Sequence, residues 1–110
     1  WRQKNAAIFV AKTKEGMAGY LIFYYVLEEG EIARIATAHS VRRQGAASQM
    51  FRKLLDFCRE QKITRIMLEV RENNEAARQF YGKCGFTKDG IRRNYYENPK
   101  ENAVLMSVNL

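Results

Sequence analysis

The order in which hydrophobic patterns follow one another is the feature that most limits the fold of this 110-residue chain. Three strand-like segments, at residues 6–12, 17–27 and 31–38, come first and are separated by the short charged turns TKEG and EEG. Short turns between strands predict antiparallel pairing, because a parallel connection needs about a dozen or more residues. The first third of the chain is therefore predicted to be an antiparallel meander.

The segment after the meander has a different periodicity. In residues 46–62, AASQMFRKLLDFCREQK, apolar side chains recur at helical spacing and charged side chains fill the positions between them. This spacing places the apolar side chains on one face of a helix. The members of that face are Met50, Phe51, Leu54, Leu55 and Cys58. The segment is predicted to be an amphipathic helix.

Strand and helix patterns then alternate. Residues 66–70, IMLEV, have the length and apolarity of a short buried strand. Residues 73–86 predict a second helix, with an asparagine as N-cap and Gly85 as the C-terminal stop. A further short strand, a polar segment at residues 92–102 and a closing strand at residues 103–110 follow. The predicted fold class is α/β with a mixed sheet.

The composition predicts one soluble domain spanning residues 1–110. With 46% hydrophobic and 28% charged residues, the chain has the balance of a folded protein with a single core. Its longest apolar stretch, residues 17–27, is shorter than the roughly 20 residues of a membrane-spanning helix. Cys58 and Cys84 lie in apolar helical patterns, which indicates buried free thiols and a cytoplasmic location. Because the chain begins at Trp1 and not at Met, we expect its N-terminus to be incomplete.

Positive charge is concentrated in one segment. The whole chain has a formal net charge of +7, and residues 42–65 hold seven basic against two acidic side chains, a local balance of +5. Such a patch can meet nucleic acid or the phosphates of a nucleotide cofactor. Charge alone leaves both interpretations open.

The string RRQGAA, residues 42–47, stands at the entrance of the first predicted helix. A glycine followed by two alanines leaves the backbone N–H groups accessible, and the helix N-terminus adds its positive dipole end. Arg42 and Arg43 supply cationic donors. The string therefore predicts a phosphate-binding turn, although small residues also begin helices that simply pack closely.

Several spaced motifs together resemble one superfamily. They are Arg-x-x-Gly-x-Ala at the helix entrance, LEVR at residues 68–71 with a following asparagine, the FY and GF pairs of the second helix, and IRRNYY at residues 91–96. In this order they resemble the GNAT superfamily of acetyl-CoA-dependent N-acetyltransferases, and within it the RimI-type protein N-terminal acetyltransferases. The resemblance covers residues 6–106. It implies a GNAT fold, acetyl-CoA as cosubstrate and no metal; the strand and two helices that precede the meander in the family are expected to be missing here.

The resemblance implies a cofactor site made of three parts. The end of the third strand would pair with the pantetheine arm and hold the developing oxyanion, the helix entrance would wrap the pyrophosphate, and Asn74 would help to hold the cofactor while also serving as an N-cap. Ala47 stands where many GNAT proteins have glycine. The implied cofactor-binding residues are Ile35, Ala36, Thr37, Arg42, Arg43, Gln44, Gly45, Ala46, Ala47, Ser48 and Asn74.

The resemblance also implies two residues for proton transfer. A protonated amine has no lone pair for attack, so a base must first take its proton, and Glu69 stands at the family's base position. Strand alternation puts Met67, Glu69 and Arg71 on one face. Tyr81 stands where the family has a hydroxyl donor for the departing thiolate. Without the resemblance, the sequence favours Glu69 as a solvent-facing ion-pair partner and Tyr81 as a core aromatic side chain.

The sequence signals for substrate recognition are the least specific ones. Tyr95 and Tyr96 match the tyrosine pair that lies beside the incoming peptide in RimI-like enzymes, and two such tyrosines also suit a plain aromatic lid. Asn102 stands where the RimI pattern usually has an acidic residue. Cys84 is a poor candidate for an acyl-enzyme because no histidine partner is evident, and His39 is a loop residue without metal-ligand spacing.

Three function hypotheses follow from the sequence. The first is acetyl transfer from acetyl-CoA to a protein N-terminus of the ribosomal protein S18 type, with no membrane and no direct nucleic-acid role. The second keeps this chemistry but has a small amine or a lysine side chain as acceptor. The third is an RNA-binding module that uses the segment of charge +5 and binds RNA in a salt-sensitive way. An inactive cofactor-binding fragment is the remaining interpretation.

Overall fold

The computed structural model describes residues 4–14, 16–37 and 45–110, and the chain divides into two compact units, residues 1–64 and 65–110. Strands and helices follow one another in the order β-β-β-α-β-α-β-β, which agrees with the predicted alternation. None of the helices in the described ranges is long and apolar enough to cross a membrane. The elements are β1 (Asn5–Thr13), β2 (Gly16–Val26), β3 (Glu29–Thr37), α1 (Ala46–Gln61), β4 (Arg65–Arg71), α2 (Glu75–Lys83), β5 (Thr87–Glu97) and β6 (Lys100–Asn109).

The first unit contains the predicted meander. β1 pairs antiparallel with β2, and β2 pairs antiparallel with β3. The second turn differs from the prediction, because Val26 pairs with Glu29 and the chain therefore reverses at residues 27–28. Gly30, predicted to close this turn, lies instead inside β3 against the ring of Phe23, where a Cβ would collide with the aromatic carbons. This glycine is needed for packing and not for the turn.

Helix α1 covers one face of the meander, as its amphipathic pattern predicts. Met50, Leu54 and Cys58 are fully buried, and burial of a leucine side chain contributes about 1.5–3 kcal/mol to folding. The ring of Phe57 meets those of Phe9 and Tyr25 edge-on, with centroids 5.4 and 5.3 Å apart.

Two polar side chains of α1 also bind the backbone of β1. Lys53 Nζ donates to the carbonyl of Val10 at 2.7 Å, and the N–H of Lys12 donates to Gln49 Oε1 at 3.2 Å. Helix and strand are therefore joined by hydrogen bonds as well as by apolar contact. Part of the predicted basic patch thus serves the fold through Lys53, while Arg59 forms an exposed pair with Asp56 at 3.1 Å on the helix surface.

The second unit has the strand order β4-β6-β5, with antiparallel pairing throughout. β4 alternates as predicted: Ile66, Leu68 and Val70 are buried, whereas Met67, Glu69 and Arg71 retain solvent exposure on the other face. Helix α2 is shorter than the predicted 73–86 and ends at Lys83. Its stop is the predicted one, because Gly85 has a left-handed φ of 97°.

The prediction of an irregular polar segment at residues 92–102 is wrong. Most of it belongs to β5, which runs to Glu97 and forms a hairpin with β6. Arg92 pairs with Ala103 and Tyr96 with Glu101, so residues 93–95 form a bulge opposite Asn102 alone. Within the bulge, Asn94 has φ 53° and its N–H donates to Asn102 Oδ1 at 2.9 Å. Pairing with β6 therefore overrides a local sequence that lacks strand alternation.

Candidate active site

The N-terminus of α1 has the backbone geometry of an anion site. Gly45 is its N-cap residue and has a left-handed backbone, with φ 78° and ψ 18°. Within the part of the chain that the structure describes, no side chain caps this helix and its first turn has no acidic residue. The first N–H groups of a helix lack intrahelical acceptors, so they and the positive end of the dipole point outwards from Ala46, Ala47 and Ser48. Arg42, Arg43 and Gln44 lie outside the described residues.

The end of β3 lies close to the start of α1. Ile35, Ala36 and Thr37 are its last residues and are half-buried. Gly19 of β2 separates the two elements: a Cβ there would lie 2.6 Å from the carbonyl oxygen of Ala36 and 3.2 Å from Met50 Cε. The missing side chain therefore allows α1 to approach the strand end, which brings two of the three predicted parts of the cofactor site together.

Asn74, the third predicted part, is the N-cap of α2. Its Oδ1 accepts a hydrogen bond from the N–H of Ala77 at 3.2 Å. The structural role expected for this asparagine is therefore present. Its role towards the cofactor stays a prediction.

Glu69 lies on an open face of the second unit. The strand register puts Arg71, Ala103 and Arg92 directly beside one another on β4, β6 and β5, and Glu69 lies two residues before Arg71 on the same face. Arg92 spans β6 above the small side chain of Ala103, and its Nη1 lies 3.5 Å from Glu69 Oε1. The side chain of Glu69 is 31% exposed. Glu69 therefore forms an ion pair, as its sequence context alone suggested, with Arg92 as partner. Its carboxylate remains accessible to solvent.

The bulge in β5 brings both predicted tyrosines to this face. Adjacent residues of a regular strand point to opposite faces. Here the ring of Tyr95 lies 4.9 Å from the guanidinium carbon of Arg92. The guanidinium carbon of Arg71 lies 4.2 Å from the ring centroid of Tyr96, and the centroids of the two tyrosine rings are 5.1 Å apart. Glu69, Arg71, Arg92, Tyr95, Tyr96 and Glu101 thus form a continuous set, which we call the arginine–tyrosine cluster.

Glu101 is a member of this cluster that the sequence did not indicate. Its side chain is only 9% exposed, and it accepts hydrogen bonds from the N–H of Asn73 at 2.6 Å and from Arg71 at 3.1 Å. The bond from Asn73, followed by the contact with Arg71, lowers the pKa of Glu101 below its ordinary 4.5. No local pattern marks this residue, because its partners lie 28 and 30 positions away.

Tyr81 is a buried side chain of α2 and is 5% exposed. Its ring centroid lies 5.6 Å from that of Phe86, so the core-aromatic reading is right. Burial, with smaller contributions from Cys84 and Tyr96, raises the pKa of Tyr81 to about 12. The phenol therefore keeps its proton at neutral pH, which is the state that a proton donor requires.

The cysteines do not offer a nucleophile. Both are free, and burial raises the pKa of Cys58 to about 11 and that of Cys84 above its usual value. A neutral thiol is a weak nucleophile. Among the residues that the structure describes, no three His, Cys, Asp or Glu side chains are grouped to hold a metal ion, and His39 lies outside them.

These features define the class of protein once the chain is compared with known ones. The profile of the Acetyltransferase (GNAT) family matches residues 1–86. The chain belongs to this family, and the predicted resemblance, the fold class and the enzyme class of N-acetyltransferase are confirmed.

The relatives carry more specific names. A Bacillus subtilis protein provisionally named a [ribosomal protein bS18]-alanine N-acetyltransferase is 34% identical over 94% of this chain and 70% of its own length. The crystal structure of the ribosomal-protein-S18-alanine N-acetyltransferase from Escherichia coli superposes with a TM-score of 0.88 at 30% identity, over 98% of this chain and 71% of that one. A Bacillus anthracis protein solved in complex with acetyl coenzyme A has a TM-score of 0.86 at 25% identity, over 99% and 65% of the two chains.

Proposed function

We propose that residues 1–110 form one acetyltransferase domain that moves the acetyl group of acetyl-CoA to the N-terminal α-amine of a protein. The observation that carries the proposal is the accessible carboxylate of Glu69, joined through Arg92 to the exposed ring of Tyr95, in a chain of the GNAT family. The names of the relatives suggest the alanine N-terminus of ribosomal protein S18 as acceptor.

In this proposal the start of α1 binds the phosphates of acetyl-CoA. The N–H groups of Ala46, Ala47 and Ser48, which no described side chain caps, would donate to the pyrophosphate, and the left-handed backbone of Gly45 would allow close approach. Arg42, Arg43 and Gln44 of the same turn would add further donors. At the end of β3, backbone groups of residues 35–37 would hold the pantetheine arm and the carbonyl oxygen as it gains negative charge. Asn74 would give additional support.

Glu69 and Tyr81 would transfer the protons. Glu69 takes a proton from the acceptor's ammonium group, and the freed amine attacks the carbonyl carbon of the thioester. A C–N bond forms, the C–S bond breaks, and the amide nitrogen releases its second proton to solvent. Tyr81 gives its phenolic proton to the departing sulfur and regains one from solvent. The assignment of Tyr81 rests on the position that the resemblance implies, because any tyrosine is protonated at neutral pH and the raised pKa makes this phenol a weaker acid.

Tyr95 and Tyr96 would lie beside the first residues of the acceptor. Tyr95 is 45% exposed, whereas Tyr96 is half-buried and stacked on Arg71. An exposed, rigid aromatic side chain offers contact area at low entropic cost. We therefore assign peptide contact mainly to Tyr95.

The experiment combines calorimetric titration of acetyl-CoA with an acetyl-transfer assay on a peptide that has the N-terminal sequence of S18. We expect Glu69→Gln and Tyr81→Phe each to lower kcat by about 10²–10⁴-fold while acetyl-CoA binding is retained. Glu97→Gln is the matched control, since Glu97 is an exposed carboxylate at the end of β5.

The same assay includes a polyamine and a lysine peptide with a blocked N-terminus. Faster turnover with either of these would move the acceptor to a small amine or a side chain. A folded wild type that fails to bind acetyl-CoA would reject the proposed function altogether.

A further inference from the structure

We propose that Arg92 is a positioning residue for acetyl transfer, which holds the carboxylate of Glu69 at a fixed angle while its own guanidinium is stacked on the ring of Tyr95. This inference rests on the proposed function, because it takes Glu69 to be the base. It adds a residue for which the chain's resemblance to GNAT enzymes implied no role.

The contacts of Arg92 are the first step of the argument. One edge of its guanidinium faces Glu69, with Nη1 3.5 Å from Oε1, and its carbon lies 4.9 Å from the ring centroid of Tyr95. A guanidinium is planar and can pair with a carboxylate at its edge while its face stacks on an aromatic ring. The stack on Tyr95 can therefore fix the guanidinium that orients the proposed base.

The sheet explains why the arginine must come from β5. Glu69 and Arg92 are on strands separated by β6, so only a long side chain can join them. The residue of β6 beside Arg92 is Ala103, which is fully buried and whose methyl group is short enough for the arginine side chain to cross the strand above it. The bulge that follows Arg92 then returns Tyr95 to the same face.

The cluster contains a second arginine with the same kinds of partner, which serves as an internal contrast. Arg71 pairs with Glu101 at 3.1 Å and stacks on Tyr96 at 4.2 Å. Glu101, however, is 9% exposed and already accepts the N–H of Asn73 at 2.6 Å. That pair holds the hairpin to the start of α2, whereas Glu69 and Arg92 are 31% and 52% exposed and can be reached by an acceptor.

A kinetic signature follows from this difference. In the bound state the acceptor's ammonium group shares the carboxylate of Glu69 with the cation of Arg92. When the charge of Arg92 is removed, the Glu69 carboxylate attracts the ammonium group of the acceptor at least as strongly as before. The KM for the acceptor should therefore not rise. The carboxylate is then no longer held at the angle that proton removal requires, so kcat should fall.

The test compares Arg92→Gln and Arg92→Lys with the matched control Arg93→Gln, on the next residue of the same strand. With the alanine peptide and saturating acetyl-CoA we expect Arg92→Gln to lower kcat by about 10- to 100-fold without raising the acceptor KM. Arg92→Lys keeps the charge but loses the planar group, and should fall between wild type and Arg92→Gln. Arg93→Gln should match the wild type.

A double-mutant cycle separates this inference from the proposed function. In a Glu69→Gln background, Arg92→Gln should cost less than about twofold, because the group that it positions is already lost. An unchanged kcat in Arg92→Gln, a rise in acceptor KM that accounts for the whole loss, or an undiminished loss in the Glu69→Gln background would each overturn the role of Arg92. A fully active Glu69→Gln single variant would instead reject Glu69 as base, and the role of Arg92 with it. Arg92→Lys serves as the decisive variant if thermal unfolding shows Arg92→Gln to be unfolded.

Discussion

The two helices of this chain begin in opposite ways. Helix α2 has Asn74 as a side-chain cap, Glu75 in its first turn, and the carboxylate of Glu101 bound to the N–H of Asn73 just before it. Helix α1 begins at a left-handed glycine and, in the described ranges, has neither a side-chain cap nor an acidic residue in its first turn. Among the residues that the structure describes, one helix start is satisfied by protein groups and the other has no capping side chain.

This difference indicates where each helix serves stability and where it serves binding. An Asn cap contributes about 0.5–2 kcal/mol relative to alanine, and an acidic residue near the N-terminus about 0.3–1 kcal/mol. The start of α1 has neither contribution, because its N-cap is a glycine and its first turn holds no acidic residue, although α1 is the longer of the two described helices with 16 residues. A site for phosphate needs these free N–H groups and an absence of negative charge. The open start of α1 is therefore consistent with the proposed cofactor site.

Among changes at the two helix starts, the largest effect is expected from Gly45→Val. A β-branched residue at φ 78° is strongly disfavoured, and such strain costs on the order of 1–3 kcal/mol. A Cβ on Gly45 would meet no described atom within 4 Å, so the cost is conformational and not steric. We expect a lower Tm in thermal unfolding and at least tenfold weaker acetyl-CoA binding in calorimetry.

The control for this change is Gly82→Ala in α2. Gly82 lies within the helix, a Cβ there also meets no described atom within 4 Å, and alanine should stabilise by about 0.5–1 kcal/mol. If Gly45→Val bound acetyl-CoA as tightly as Gly82→Ala, the left-handed turn would have no part in binding.

The next largest effect is expected at the capped helix. Asn74→Ala removes the acceptor for the N–H of Ala77 and should lower the free energy of unfolding by about 1 kcal/mol. Asn74→Asp keeps an acceptor and should unfold like the wild type. Denaturant titration measures both. Asn74→Asp also lacks the amide donors, so weaker acetyl-CoA binding by this stable variant would support the predicted cofactor role, whereas unchanged binding would leave Asn74 as a cap alone.

A smaller effect should appear in acid at the same helix start. The N–H of Asn73, and then Arg71, lower the pKa of Glu101 below 4.5. A carboxylate with a lowered folded-state pKa stabilises fully above its unfolded pKa, and this stability is lost as the pH falls through the folded pKa. We therefore expect the Tm advantage of the wild type over Glu101→Gln to hold at neutral pH and to shrink below about pH 4.5. A constant difference down to pH 3 would show that the charge of Glu101 is not involved.

The two helices could be predicted from the sequence because their signals are local. The periodicity of residues 46–62 and the asparagine and glycine around α2 act within a few positions of one another. The face of Glu69 followed from strand alternation for the same reason. These are the parts of the fold and site where prediction and structure agree.

The arginine–tyrosine cluster could not be predicted because its geometry is non-local. The segment RRNYYE has no alternation, and it becomes a strand only through pairing with β6. The register of that pairing, together with a bulge, decides that Arg92 reaches Glu69 and that Tyr95 and Tyr96 share a face. The resemblance supplied the two tyrosines and the glutamate as separate residues. Their connection through Arg92 is visible only in the structure.

The smallest effects are expected when a negative charge is added to the start of α1 and, in a separate variant, removed from the start of α2. Ser48→Glu places a carboxylate in the first turn of α1, at an exposed position, and should raise the free energy of unfolding by about 0.3–1 kcal/mol. The same charge should weaken acetyl-CoA binding by about fivefold or more, because two like charges about 4 Å apart repel by about 1 kcal/mol even in water. Stability and affinity would thus change in opposite directions.

The reverse exchange is Glu75→Gln in α2. It should lower the free energy of unfolding by about 0.3–1 kcal/mol and leave acetyl-CoA affinity unchanged, because the start of α2 is already satisfied by Asn74. Denaturant titration and calorimetry on both variants, with Ser48→Gln as the neutral control, complete the comparison. If Ser48→Glu gained stability but bound acetyl-CoA as the wild type does, the uncapped start of α1 would be an unused helix end and the phosphates would have to bind elsewhere.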